Sequence, residues 1–186
     1  MNDAKRTLRS AMRGAREGLE PEARAAAHVA MGDALARILA RHAWVGVYGA
    51  GPSEADPMPF VLAFLSRGGR VSYARVAGTE LAWHAFPAGA QAPQPLPEQW
   101  LVPGYRGLCE PPASAPAHAR DALTAIVVPG LAFAPSGVRL GQGGGYYDRA
   151  LAGYAGLKVG LAYRAQCVPD LPCEPHDVLM DLIVSA

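Results

Sequence analysis

At 186 residues, 51% hydrophobic and 18% charged, the chain has the composition of an ordinary globular protein and the length of one domain, 1–186, able to bury roughly 70% of its unfolded surface. A formal charge of +1 supplies no global basic field, which excludes nucleic acid and an anionic membrane as bulk partners. Cys109, Cys167 and Cys173 lack the close C-x-x-C spacing of zinc and redox sites, and no window nears about 18 uninterrupted apolar residues, so a cytoplasmic protein with reduced thiols is expected.

Residues 3–18 are rich in helix formers, with Leu8, Met12 and Ala15 or Ala11 on one face and Lys5, Arg6, Arg9, Arg13 and Arg16 over the rest. Lys5 and Arg9 are four apart and so are neighbours on a helix surface. Two readings stand for them: a solvated amphipathic helix, or a clamp for a polyphosphate. The only lysines are Lys5 and Lys158. Pro21 suits the first turn of a second helix running through His28, Leu35 and Ile38 to about Ala40.

Trp44 to Tyr48 is a short apolar run, a buried strand, ending at Gly49-Ala50-Gly51-Pro52-Ser53 and then Glu54. Asp56-Pro57 reads as an N-cap and first helical residue, with Phe60, Val61, Phe64 and Leu65 as the apolar face and Gly68-Gly69 as the stop. Val71 to Val76 is the next strand. Strand, helix and strand with short connections imply a parallel sheet with right-handed crossovers. Leu81 to Phe86 is a further strand and Pro87 to Pro103 an irregular proline-rich excursion, where Trp83 and Trp100 either pack or serve a ring-shaped ligand, packing being the expectation.

Ile126, Val127 and Val128 form a buried strand that stops at Pro129-Gly130. After a loop come Val138, Arg139 and Leu140, the run Gly141, Gln142, Gly143, Gly144, Gly145, and then Tyr146 to Leu151 as the first turns of a helix. Glycines here permit positive φ and close approach of a ligand to the amides. Strand, glycine loop and helix start together suit an anion, most often phosphate. Neither the G-K-[ST] nor the dinucleotide pattern fits, since Tyr146 stands where the latter needs Gly. Val159 to Tyr163 and Val178 to Val184 are the last two strands, separated by a proline-rich loop carrying His176 and Asp177. Ligands of such sheets gather at the carboxyl ends of the strands, where both glycine-bearing loops lie.

Pro129-Gly130-Leu131-Ala132-Phe133, Gly137, Arg139-Leu140-Gly141 and Gly143-Gly144-Gly145-Tyr146-Tyr147-Asp148-Arg149 together resemble the signature of the 5-formyltetrahydrofolate cyclo-ligases. The resemblance implies an α/β/α, Rossmann-like domain of the sugar-phosphate isomerase and CoA-transferase kind with a mostly parallel sheet. It also implies ATP-dependent closure of 5-formyltetrahydrofolate to 5,10-methenyltetrahydrofolate by a monomer acting on small molecules. For ATP it implies Lys5, Arg9, Arg139, Leu140, Gly141, Gln142, Gly143, Gly144, Gly145, Tyr146 and Tyr147, with Arg139 catalytic. For the folate it implies Gly49, Glu54, Gln142, Gly143, Gly144, Gly145 and Tyr146, the Glu54 carboxylate accepting two ring N–H groups. Mg²⁺ would be held by Asp148 and Asp177, and Glu110 would be structural.

Two positions depart from the family pattern. Ala134 replaces a common Asp, and Ala74 replaces a Pro at a strand end. Rival readings are a binding protein that keeps the loop without the cyclisation, and another enzyme on the same sheet, such as a sugar-phosphate isomerase. An isomerase would need neither ATP nor the basic N-terminus.

Overall fold

The computed structural model describes residues 2–87 and 100–186. Helix α1 (Asn2–Glu17) is followed by α2 (Pro21–Ile38), strand β1 (Trp44–Val47), α3 (Met58–Ser66) and the hairpin β2 (Arg70–Ala77) and β3 (Glu80–Ala85). Short strands β4 (Val102–Pro103), β5 (Cys109–Glu110) and β6 (Ala117–His118) lead to β7 (Ala125–Pro129). The chain ends with β8 (Ala132–Phe133), β9 (Arg139–Leu140), α4 (Tyr146–Leu151), β10 (Leu157–Ala162) and β11 (Leu182–Ser185).

The main sheet has the order β11-β10-β7-β1-β2-β3-β6. Its first five strands run parallel, with Val45 opposite Val71, Val127 opposite Val159 and Val159 opposite Leu182. The β2–β3 and β3–β6 pairs are antiparallel. Both faces are covered, which is why the central strands read as unbroken apolar runs rather than as alternating ones. Along β7, Ala125 and Val127 point to one side, where Met31 and Leu35 of α2 and Phe60, Val61 and Phe64 of α3 pack. Ile126 and Val128 point to the other, against Phe133, Leu151 of α4 and Tyr154. Gly32 lets α2 and α3 approach closely, since a Cβ there would stand 2.8 Å from the Pro59 side chain.

Several boundaries differ from the sequence expectation. Pro57 is the N-cap of α3 and Met58 its first residue, while Asp56 Oδ1 accepts the Met58 N–H at 2.9 Å. Pro129 does not stop β7 but is its last residue, opposite Leu161; a parallel ladder tolerates a terminal proline that gives only its carbonyl. Ala74 lies inside β2, paired with Trp83, and not at a strand end. The last strand is shorter than Val178 to Val184, because Met180 gives its N–H to Gly137 and Asp181 gives its own to Lys158. Trp83 is buried, and Trp100 packs edge-on to Phe86 with ring centroids 5.0 Å apart, so both are packing residues as expected. Most of the proline-rich excursion expected over 87–103 falls on 88–99, outside the described residues.

Helix α1 belongs to neither helical layer. Its Leu8 and Met12 rest on a small apolar cluster formed by Leu131, Ala132, Ala134, Val138, Leu140 and Leu171 beyond the end of β7. Ala134 is buried in that cluster, so the replacement of an acidic residue there leaves an apolar wall beneath α1. That docking brings the N-terminus to the carboxyl ends of the parallel strands.

Candidate active site

The floor of the site is the glycine bend. Gly143 has φ 100° and Gly145 φ 67°, values that demand glycine, and α4 starts directly after them. Gln142, Gly143 and Gly144 are exposed, so the bend is open to solvent. Arg149 holds it from behind: its Nη2 donates to the carbonyls of Thr79 and Gly144, at 2.5 and 3.0 Å. Its guanidinium carbon also lies 5.2 Å from the centroid of the Tyr146 ring. Tyr146 meets Tyr105 edge-on with centroids 5.6 Å apart.

Helix α1 lies across this bend. At about 100° per residue, positions 5, 9, 13 and 16 fall within an arc of about 80°. The stripe meets three loops in turn. Lys5 Nζ lies 3.1 Å from Asp177 Oδ2 and 3.5 Å from Glu174 Oε1. Arg9 Nε donates to the Gly141 carbonyl at 3.0 Å, Arg13 Nη2 donates to Gln142 Oε1 at 3.0 Å, and Arg16 Nη1 meets Glu54 Oε1 at 3.3 Å. Lys5 and Arg9 therefore stand together at the loops, though Lys5 faces carboxylates and not the glycine bend itself. Sequence reasoning missed Arg13, Arg16 and Glu174. The signal was present in the i, i+4, i+3 spacing of the basic residues, but their partners lie far away in the chain.

Glu54 follows β1, and its Oε2 accepts the Gly51 N–H at 3.1 Å. Two of the four lone-pair sites of the carboxylate are thus occupied. Gly49 has a structural reason to be glycine, since an added Cβ would lie 1.8 Å from the Cys109 carbonyl oxygen. Glu110 is buried, accepts the Val76 N–H at 3.0 Å and pairs with Arg75 at 3.4 Å, a structural role as expected.

Arg139 is buried and locked. Its Nη2 lies 2.8 Å from Asp148 Oδ1, its Nη1 is 3.4 Å from the Pro129 carbonyl, and its Nε is buried without a partner. The neighbouring Tyr147 hydroxyl is also buried and unpartnered. Desolvation by burial, with the field of Glu54 added, pushes this phenol far above its usual range, so it stays protonated.

Among the described residues, the one group of three metal-capable side chains is Glu174, His176 and Asp177, with ligand atoms within 4.8 Å of one another. Asp148 is not part of it and faces Arg139. Burial alone would raise the Asp177 carboxyl, but the Glu174 N–H, the Lys5 ammonium and His176 outweigh it and hold it below the usual carboxylate range. Asp177 Oδ2 receives both Lys5 and the Glu174 N–H, while Asp148 uses Oδ1 for Arg139. One oxygen on each of these two side chains has no hydrogen bond among the described residues, a hard donor of the type that Mg²⁺ takes.

Among the described residues, no helix is long and apolar enough to cross a membrane. The solved 5,10-methenyltetrahydrofolate synthetase of Aquifex aeolicus superposes with a TM-score of 0.81 at 28% identity, covering 97% of this chain and 89% of that one. The synthetase of Mycoplasma pneumoniae shares the fold, with a TM-score of 0.77 at 22% identity over 97% of each chain. A 5-formyltetrahydrofolate cyclo-ligase from Mycolicibacterium smegmatis is 38% identical over 101 residues, 49% of this chain and 52% of that protein. The chain thus matches about half the length of that curated relative. The family model described as 5-formyltetrahydrofolate cyclo-ligase matches residues 1–186, and the chain therefore belongs to that family.

Proposed function

We propose that the chain catalyses ATP-dependent conversion of 5-formyltetrahydrofolate to 5,10-methenyltetrahydrofolate, releasing ADP and phosphate, as one cytoplasmic, monomeric unit over residues 1–186. Family membership supports the reaction. The observation that carries its placement is the donation from Arg9 Nε to Gly141 at 3.0 Å, which lays a cationic helix over the glycine bend.

A formyl oxygen on an amide-like nitrogen is a poor leaving group, so ring closure needs it esterified. The oxygen attacks the γ-phosphorus, the bond to the bridging oxygen breaks and ADP leaves. Nitrogen 10 then adds to the activated carbon and releases its proton to solvent or to the phosphate, and phosphate departs with the original formyl oxygen. Such transfer asks of the protein chiefly alignment and positive charge.

Lys5, Arg9, Arg139 and residues 140–147 form the nucleotide side in this reading. Arg9 and the bend face the phosphates, and Arg139 contributes a fixed charge beside Gly141. Gly49, Glu54 and the same bend form the folate side, the carboxylate using its remaining lone pairs for ring N–H groups. Asp148 and Asp177 would hold Mg²⁺, which when bound would neutralise phosphate charge. Tyr147 stays a protonated donor.

Purified protein given 5-formyltetrahydrofolate and Mg·ATP is expected to develop the methenyl absorbance, with none when ATP is omitted. No turnover with ATP would remove the cyclo-ligase assignment, and nucleotide binding by calorimetry without turnover would assign a binding role instead.

A further inference from the structure

Glu54 is held more firmly than a loop glutamate needs to be. Its two carboxylate oxygens are engaged by Arg16 at 3.3 Å and by the Gly51 N–H at 3.1 Å. Its carbonyl accepts from the Tyr163 hydroxyl at 3.1 Å, and that hydroxyl in turn meets His28 Nε2 at 2.6 Å. The cation in this set is unusual. The Arg16 side chain is 6% exposed, Glu54 is its one carboxylate partner in the described structure, and its Nε is buried with no partner. A guanidinium desolvated to that degree, on a helix where Lys5 is the only other buried cation among the described residues, is costly unless its geometry serves a purpose.

The other cations of the stripe divide by partner. Arg9 and Arg13 rest on neutral oxygens, a carbonyl and a side-chain amide, which an incoming phosphate would outcompete. Lys5 and Arg16 rest on carboxylates. Arg16 differs from Lys5 in what it meets: Lys5, one turn from Arg9, pairs with Asp177 and Glu174, whereas Arg16 meets Glu54, so what Arg16 anchors is the carboxylate on the folate side.

We propose that Arg16 is a positioning residue that orients the Glu54 carboxylate for the folate ring, an inference that rests on the cyclo-ligase reading above. The guanidinium fixes one oxygen through a directional contact, the Gly51 N–H fixes the other, and the free lone pairs are left aimed where ring N–H groups can donate. Lysine at this place would keep the charge and lose the planar fork.

The test is calorimetric titration of 5-formyltetrahydrofolate, and separately of ADP, into wild type, R16K, R16M, E54Q and R16M/E54Q, beside the cyclisation assay. R16M is expected to weaken folate binding roughly 10- to 100-fold, the scale of a lost charge-assisted contact, with ADP affinity changed less than about 2-fold. R16K should recover part of the loss. The double variant should bind no more weakly than E54Q, because the two side chains act as one unit. Wild-type folate affinity in R16M, or losses that add in the double variant, would overturn the proposal. If R16M does not fold by circular dichroism, R16K decides: unchanged folate affinity overturns the assignment, and selective weakening supports it. A wild type that cyclises the folate while R16K and R16M keep full affinity sinks this inference alone, whereas a wild type that neither binds nor cyclises sinks the cyclo-ligase reading with it.

Discussion

The ammonium of Lys5 stands 3.1 Å from Oδ2 of Asp177, joining the first helix to the loop before the last strand. Both side chains are mostly buried, and the pair fastens α1 over the glycine bend. Lys5→Met should therefore act twice. It removes a cation from the proposed nucleotide side and takes from Asp177 its ammonium partner. A rise of about 10- to 100-fold in KM for ATP is expected, the scale of a charge-assisted hydrogen bond, with a smaller change in KM for the folate. Equal changes in both would place Lys5 outside the nucleotide side.

Acid should loosen the protein in two steps. Burial holds the His28 imidazole below its ordinary value of 6.5, so the folded state favours the neutral ring. The stability this contributes is complete above pH 6.5 and is lost as the pH falls through the folded-state value. Asp177, held below 3.8, contributes fully above that pH and is lost only on further acidification. Thermal melts from about pH 7.5 down to about 2 should show both steps, the second only below pH 3.8, and His28→Gln should lack the first. A first step that survives in His28→Gln would assign it to another group.

The sequence expectation makes Asp148 a metal ligand, and the structure adds an ion pair with Arg139, whose side chain is 4% exposed. Asp148→Asn leaves a buried guanidinium without a counter-charge and should cost about 3 kcal/mol, or on the order of 10 °C in Tm for a chain of this size. Arg139→Met together with Asp148→Asn should recover much of that stability while staying inactive. Restored activity in the double variant would exclude both residues from the chemistry.

Tyr147→Phe should raise stability. The hydroxyl is buried with no partner among the described residues, and deleting it removes an unsatisfied polar group at a gain of about 1 kcal/mol, seen as a rise of about 2–4 °C in Tm. Turnover should fall in the same variant if the phenol serves the nucleotide side. A lower Tm would mean that the hydroxyl has a partner in solution.

What local pattern determined was the scaffold and its bend. Apolar runs such as Val45 to Val47 and Ile126 to Val128 are strands because β-branched residues suit a sheet covered on both faces, and that composition is written in adjacent positions. The glycine run permits positive φ by its composition, and Gly143 and Gly145 are the two of its residues that adopt it. The amphipathic α1 was legible from its spacing, but its basic residues read only as spread over the rest of the helix, and the site that Arg13 and Arg16 face was not.

The tertiary structure decided which charge answers which. Nothing near Arg16 in sequence says that it meets Glu54, and nothing near Arg139 says whether Asp148 is its partner or a metal's. Gly49 likewise looks like a loop glycine until the Cys109 carbonyl is seen where a Cβ would be. Propensity and periodicity act over a few residues, whereas ion pairs and close backbone approaches are set by how α1 and the loops dock on the finished sheet. The family could be read along the chain; which cation of the basic stripe meets a carboxylate and which a neutral oxygen is decided only once its two ends are packed together.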